Sequence, residues 1–460
     1  MDLRFKKDEI YGSSLFKIVA ILSLGCMLGF VTYKLKYIAP FLLLGVFGIT
    51  LAGIYSEIGI VIFLLIINLS FLQAMNVPYV KLSFIGFFAM WWLYFLGNRL
   101  KITRSNQMTF LMVLYISLFI LSFLSGGNFF GKIGGGLNYY SNMFFAFVIM
   151  TTIRAEEQVR KFLDLLILWG VFLAAIGVIQ FVTKRPLFPG AVSEGGLPVT
   201  GSTIGDTVFY AVHMQFVIIL CFYKLLYKYN NKEKIVPILF VLILLVLGWA
   251  FSFNRVTMVS FVVAIFVIAH LHGQKKKALL FLLIALIFIY IFAPRFFSQM
   301  YSIITSILYP AGTHWEGRLN LTMAGLKAIK DYPLALLTGF GPGQYVNVIM
   351  PYLTPWQKLN LGGTGSMFPV YLLVEIGIFG TALFFWFIWL TLKDLFNVQK
   401  LFEQRKRHDM FLITQGLFVA FISLLITSFT GPPHLFFAFW IPIAMVAVLN
   451  NLCQKKMANQ

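Results

Sequence analysis

The sequence predicts an all-α polytopic membrane protein of about fourteen transmembrane helices. Both termini are expected in the cytoplasm, and a large, partly helical extracytoplasmic loop is expected near the C-terminal third. Three observations carry this prediction. Of 460 residues, 60% are hydrophobic and only 11% charged, where soluble domains carry roughly a quarter charged residues. Apolar runs long enough to cross about 30 Å of hydrocarbon recur along the chain. The basic residues between those runs fall mainly in alternate connections. A water-soluble fold is excluded by the composition, and intrinsic disorder by the high apolar content throughout.

In chain order, the expected spans are 15–33, 37–54, 58–76, 80–97, 108–125, 134–153, 162–182, 206–226, 235–252, 256–272, 277–294, 367–391, 410–428 and 434–451. Segments as short as 256–272 are compatible with re-entrant loops, which leaves a range of twelve to fourteen. The first run follows Arg4, Lys6 and Lys7 without a small-residue cleavage pattern, so it reads as a retained helix. One side collects Arg99, Lys101, Arg104, Arg154, Arg160, Lys161, Lys224, Lys228, Lys232, Lys234 and Lys275–Lys277. It also holds Lys393, Lys400, Arg405–Arg407, Lys455 and Lys456. With Arg4, Lys6, Lys7 and Lys17 that side holds 24 of the 36 basic residues. The positive-inside rule places it in the cytoplasm, together with both termini. The formal charge of +20 therefore reports membrane orientation and implies no nucleic-acid partner. Cys26, Cys221 and Cys453 have no partner at metal-ligand spacing.

Three regions follow. Residues 1–294 hold the N-terminal transmembrane helices and an outer loop, 183–205, rich in Gly, Pro, Ser and Thr. Residues 295–366 form the large extracytoplasmic loop, and 367–460 hold the C-terminal transmembrane helices. Loops this long are usually functional or disordered. The second contains Trp315, Trp356 and several tyrosines, and is expected to fold against the membrane surface.

The outward side is where chemistry is expected, because the largest loop is there. It holds acidic Glu194, Asp206, Glu316 and Asp331 against twelve basic residues, a balance that favours an anionic ligand. The plainer reading of those basic residues is snorkelling to headgroups. Arg255, in Ser252-Phe253-Asn254-Arg255, stands between two apolar helices with almost no loop, where a planar guanidinium suits a phosphate or serves as an interfacial anchor. Thr313-His314-Trp315-Glu316 is a capping-box pattern. Leu319, Met323 and Leu326 then recur at helical spacing and Pro333 stops the helix, which makes Glu316 structural. Arg318 lies in that helix's second turn, where the positive dipole end also favours an anion. Gly339-Phe340-Gly341-Pro342-Gly343 predicts a tight turn with close backbone approach. Ser366 ends a glycine-rich stretch before the next span. That span carries Glu375, expected within the bilayer and a functional candidate on that ground. His434, in Gly431-Pro432-Pro433-His434, reads as an interface residue.

Three of these places together resemble the O-antigen ligase and O-antigen polymerase superfamily of bacterial glycan assembly. Thr200-Gly201-Ser202-Thr203-Ile204-Gly205-Asp206 is similar to the family's Gly-rich segment before a span. Ser252-Phe253-Asn254-Arg255 is similar to its Ser/Thr-and-Arg sequence. Arg318, Pro333 and Gly339–Gly343 are similar to its loop pattern of Arg, Pro and Gly-x-Gly. The likeness covers roughly 195–385. It implies a glycosyltransferase of the plasma membrane with its active site facing the periplasm or cell exterior, and neither metal nor other cofactor. Implied partners are an undecaprenyl-pyrophosphate-linked oligosaccharide donor and acceptor, membrane lipids, and with them room for a chain-length regulator. The resemblance implies Arg255 and Arg318 as catalytic residues opposite the departing pyrophosphate. His314, Asp206 and Glu194 are the titratable choices for a base. Gly339, Gly341, Gly343, Glu194, Ser366 and Glu375 are candidates to bind substrate.

One departure matters. Ligases carry a His-Asn pair before a Gly-x-x-Gly, and counting the family's spacing back from Gly377 lands on Ser366-Met367. The expectation therefore moves to a polymerase of lipid-linked repeat units, with the ligase as alternative. A lipid-linked oligosaccharide flippase or secondary transporter is the alternative of another class; it requires internal symmetry or ionisable and broken helices at the midplane.

The topology is testable with single cysteines in a background lacking Cys26, Cys221 and Cys453. In intact cells, Lys275→Cys and Lys400→Cys should be shielded from impermeant thiol reagents, while Arg185→Cys and Lys358→Cys label. Equal labelling of both pairs refutes the span assignment.

Overall fold

With no water in the hydrocarbon to satisfy backbone groups, apolar runs of this length fold as helices. The computed structural model describes residues 113, 117, 142–143, 145–184, 193–194, 197–198, 207–271, 314–359, 367–428 and 437–458. Its apolar helices are α1 (Glu156–Thr183), α2 (Thr207–Asn230), α3 (Val236–Ala250) and α4 (Arg255–Leu271). The loop region contributes α5 (His314–Asp331), α6 (Ala335–Thr338), α7 (Tyr345–Ile349), a 3₁₀ turn at Met350–Tyr352 and α8 (Pro355–Leu359). Then come α9 (Phe368–Gln404), α10 (His408–Thr427) and α11 (Phe437–Ala458). The departure from all-helical structure among the described residues is a two-residue antiparallel pairing of Ser193–Glu194 with Leu197–Pro198.

Among the described residues, α1, α2, α9 and α10 are long and apolar enough to cross a membrane, while α3, α4 and α11 contain shorter apolar stretches. The spans expected at 15–33, 37–54, 58–76, 80–97 and 277–294, and most of 108–125, lie outside the described residues. So does the full count of fourteen.

α2 and α10 form the centre, packed on one another, with α1 and α3 beside α2, α4 against both, and α9 and α11 beside α10. Small residues set these approaches. A Cβ on Gly170 would meet Val217 at 2.6 Å, and one on Gly248 would meet the Ala174 backbone at 2.8 Å. From 438 to 449, α11 is buried on every side, as an all-apolar helix should be. α1 instead exposes Leu168, Phe172, Ile179 and Val182 on one face, and α3 exposes Val236, Leu239, Phe240 and Ile243. In a membrane protein such faces meet lipid.

The two ends of this bundle differ chemically. At one end Arg407 pairs with Glu156 and Arg160 with Asp409, and Lys224 meets Asp164 at 2.5 Å. Asn230 bonds His408 at 2.9 Å, and Arg405 donates to the Cys453 carbonyl at 3.1 Å. These contacts bring together the ends of α1, α2, α10 and α11 that carry the basic clusters. The opposite end holds Phe181 stacked on Phe251 at 3.9 Å and the turn from α3 to α4.

Between the ends lies a buried polar junction. The Gln215 amide of α2 donates to Ser260 Oγ of α4 at 2.7 Å and to Ser423 Oγ of α10. Ser260 Oγ shares a further hydrogen bond with Thr427 at 2.8 Å. Each such bond contributes about 1 kcal/mol. Together they hold α4 in register against α2 and α10, and so locate its first residue, Arg255.

Candidate functional site

The Arg255 end is built from two loops whose geometry differs in kind. The first is the turn into α4. Phe253 adopts φ 50, a left-handed conformation uncommon for a non-glycine residue, and its ring is buried beside Phe181. That reversal lets Asn254 cap the helix: Asn254 Oδ1 accepts from the Thr257 N–H at 3.1 Å. Trp249 Nε1 donates to Thr257 Oγ1 at 3.2 Å, which ties α3 to the same turn. Ser252 Oγ donates to the Trp249 carbonyl at 2.6 Å. Arg255 is therefore the first residue of a helix whose start is fixed by Ser252, Asn254 and Thr257. Strained backbone of this kind is often found at functional sites.

The second loop runs from α5 to α9. α9 is broken: Gly377 has φ 66 and ψ −175 between two helical stretches. In an unbroken helix the Val374 and Glu375 carbonyls would accept from the N–H groups of Ile378 and Phe379. Here Phe340 N–H donates to Val374 O at 2.8 Å and Gly341 N–H to Glu375 O at 2.9 Å. Gly339, Gly341 and Gly343 have φ of 75, 108 and 72, the region that favours glycine. The approach leaves no room for side chains. A Cβ on Gly339 would lie 2.2 Å from Glu375 O, and one on Gly377 would lie 2.3 Å from Leu337 O. The Gly-x-Gly motif thus docks backbone against backbone on the helix break.

Glu375 completes this clamp. It is fully buried, and its Oε1 accepts from the Tyr345 N–H at 3.1 Å, at the start of α7. Tyr345 in turn donates its hydroxyl to the Leu321 carbonyl of α5 at 2.8 Å and stacks on Tyr371 of α9 at 4.5 Å. One carboxylate and one tyrosine so join α5, α7 and α9. The exposed apolar face of α9 begins only at Ile378 and Phe379, so Glu375 lies at the edge of the lipid-facing stretch, under α5–α7.

Arg318 lies one turn before Thr322. Thr322 Oγ1 donates to the Arg318 carbonyl at 2.8 Å and accepts from the Met367 N–H at 3.2 Å. The start of α9 is therefore tied to the Arg318 turn. Desolvation lowers the Arg318 pKa from its ordinary value; arginine remains protonated in proteins, so this is a partly desolvated cation, to which an anion is an attractive neighbour. At the far end of α5, Tyr352 donates to Asp331 Oδ2 at 2.8 Å, a bond that pushes the phenol pKa up to about 12.

The candidates therefore divide. Gly339 and Gly341 contact the backbone of Glu375 directly, and Arg318 is one turn from the start of α9. Arg255 begins α4 at the same bundle end, since Ser260 reaches Thr427 at the close of α10. His314 is the first residue of α5, four positions before Arg318, and Glu194 lies in the short hairpin. Asp206 and Ser366 lie outside the described residues, as does His434. Sequence reasoning missed Tyr345, Thr322 and the Gln215 junction. The signal for the last was present as glutamine and hydroxyl residues inside apolar runs.

Comparison with known proteins adds one finding. Residues 240–385 match a family model described as O-antigen ligase, a stretch that runs from α3 past the break in α9 and includes both arginines, the glycine loop and Glu375. No curated protein matches the chain.

The backbone contacts make a direct prediction. Gly339→Ala and Gly377→Ala, each driving a methyl into a carbonyl at a left-handed residue, should each destabilise the purified protein by about 2 kcal/mol or more. Gly380→Ala meets chiefly the Ile376 side chain and should cost less. Thermal midpoints in detergent compare the three; equal midpoints refute the clamp.

Proposed function

From the superfamily that residues 240–385 support, that of the O-antigen polymerases and ligases, we propose that this chain is a polysaccharide polymerase. It joins undecaprenyl-pyrophosphate-linked oligosaccharide repeat units at the outer face of the bacterial plasma membrane, which is the Arg255 end of the bundle. The observation that supports glycan transfer is the matched stretch itself, which spans two arginine-bearing helices and the glycine loop clamped on a helix break, all at one end. The choice of polymerase over ligase rests on Ser366-Met367 standing where ligases carry a His-Asn pair.

The step is a glycosyl transfer. An acceptor hydroxyl of one unit attacks the anomeric carbon of another chain and a new C–O bond forms. The C–O bond to pyrophosphate breaks, its electron pair leaves on the pyrophosphate, and the hydroxyl proton passes to a base. Negative charge grows on the leaving group, so a cation aimed there stabilises the transition state more than the ground state. Arg318, a partly desolvated cation in the second turn of α5, suits that role, and Arg255 at the start of α4 is its counterpart. Both also lie where helix dipoles favour anions. His314 is the preferred base among His314, Asp206 and Glu194, because residues four apart on a helix share a face and Arg318 is four positions on. A good leaving group lowers the demand on that base.

Two other readings remain in view. The matched model is described as O-antigen ligase, which favours transfer of finished glycan to another acceptor with the same donor chemistry. A carrier would use a broken helix near the bilayer midplane, whereas the break at Gly377 sits at one end of the exposed apolar face of α9.

Two outcomes check the proposal. Arg255→Lys keeps the charge but loses the planar fork, so turnover of purified protein on its lipid-linked repeat unit should fall by about tenfold or more. Full turnover returns Arg255 to an anchoring role. Deletion of the protein should leave single lipid-linked repeat units, and Ser366→Ala should retain substantial polymerisation, since an unactivated serine hydroxyl is a poor base. Accumulation of full-length polymer on its carrier in the deletion strain would replace the polymerase with the ligase.

A further inference from the structure

We infer that the elbow joining α5 to α6 is a lipid-contacting element, seated at the headgroup–acyl boundary beside the break in α9, with the bilayer as its occupant. The elbow is strongly apolar and uncovered. Leu334 is 81% exposed and Tyr332 61%, and Leu336 and Leu337 are exposed as well. A cluster of this kind facing water is unusual.

Its position explains the exposure. Leu337 O lies 2.3 Å from where a Cβ on Gly377 would be, so the end of α6 rests on the break. The residues that follow the break, Ile378 and Phe379, open the exposed apolar face of α9, and Phe379 is 71% exposed. That face continues through Phe385, Trp386 and Trp389 to Phe396. Ile378 to Phe396 is about 27 Å of helix at 1.5 Å per residue, close to the roughly 30 Å of a hydrocarbon core. Gly377 therefore marks one boundary of the hydrocarbon, and the exposed leucines of the elbow lie beside it at the same height. Their apolar surface continues the lipid-facing surface of α9.

Charge agrees with this placement. Lys327 and Lys330 are exposed on α5 immediately before the elbow. An apolar edge flanked by lysines is the pattern of an interfacial segment, with leucine side chains in the acyl region and ammonium groups among the phosphates. Tyr332, whose ring packs edge-on to Phe340 at 5.8 Å, is an aromatic suited to the same depth. The inference stands on geometry and composition and does not depend on the glycan-transfer reading.

The test needs no activity. Leu334→Cys, Phe379→Cys and Asn347→Cys are made in the full chain lacking Cys26, Cys221 and Cys453, labelled with an environment-sensitive fluorophore and placed in phosphatidylcholine nanodiscs with or without phosphatidylglycerol. Quenching by a shallow lipid-attached nitroxide should exceed quenching by aqueous iodide about twofold or more at 334 and 379, with the reverse at 347. Lys327→Gln with Lys330→Gln should abolish any increase at 334 caused by phosphatidylglycerol. Iodide-dominated quenching at 334 overturns the inference, and protection from both quenchers overturns it in favour of a protein cover such as a second copy. Should Leu334→Cys fail to fold, Leu336→Cys gives the same reading.

Discussion

A helix that is interrupted inside packed protein must have its freed, buried carbonyls satisfied by other protein groups, and the Arg255 end of this protein is organised around that requirement. Gly377 interrupts α9, and the Phe340 and Gly341 amides take the carbonyls of Val374 and Glu375. Those two hydrogen bonds require the chain to pass at backbone contact distance, which only glycine permits at 339 and 377. Once the loop is held there, Tyr345 meets the Glu375 carboxylate and the hydroxyl of Tyr345 meets α5. The position of Arg318 follows from that chain of contacts, through Thr322 and the start of α9.

Arg255 is held by different means. Its helix is located by the junction among Gln215, Ser260, Ser423 and Thr427, and its first turn by Asn254 and the left-handed Phe253. Polar contacts between membrane helices contribute modestly one by one. Their value here is directional, because an amide flanked by hydroxyls on two neighbouring helices accepts one rotation and one height. The two arginines are thus fixed by independent devices, one inside the bundle and one in the loop packed against α9. Under the proposed transfer, in which charge builds on a pyrophosphate, helices located this firmly would lower the reorganisation needed at the moment of reaction.

The division of labour between the bundle ends fits the same picture. Ion pairs and basic clusters gather where α1, α2, α10 and α11 end together, and exposed pairs of this sort contribute little stability individually. The opposite end holds hydrogen-bonded loops, aromatic stacking and the buried carboxylate. The ion-paired cluster and the hydrogen-bonded loops thus occupy opposite ends of the bundle.

The helical class, the apolar spans that the structure describes and the basic asymmetry were legible in the sequence, because hydropathy and charge act locally and each run can be judged by itself. Helices predicted at 206–226 and 410–428 were found as Thr207–Asn230 and His408–Thr427, and the helix stopped by Pro333 as His314–Asp331. The glycines at 339–343 could be read as a tight turn with close backbone approach. Their partner could not, since nothing in Gly377 alone distinguishes a helix break from a small packing residue. Glu375 shows the limit most clearly. Hydropathy placed it inside a span, where a carboxyl group is costly unless paired, and the tertiary structure supplies the partner that the sequence did not name, a backbone N–H thirty residues earlier. Which amide meets which carboxylate depends on contacts between distant segments, and those are decided by packing and by the demand that every buried polar group find a partner.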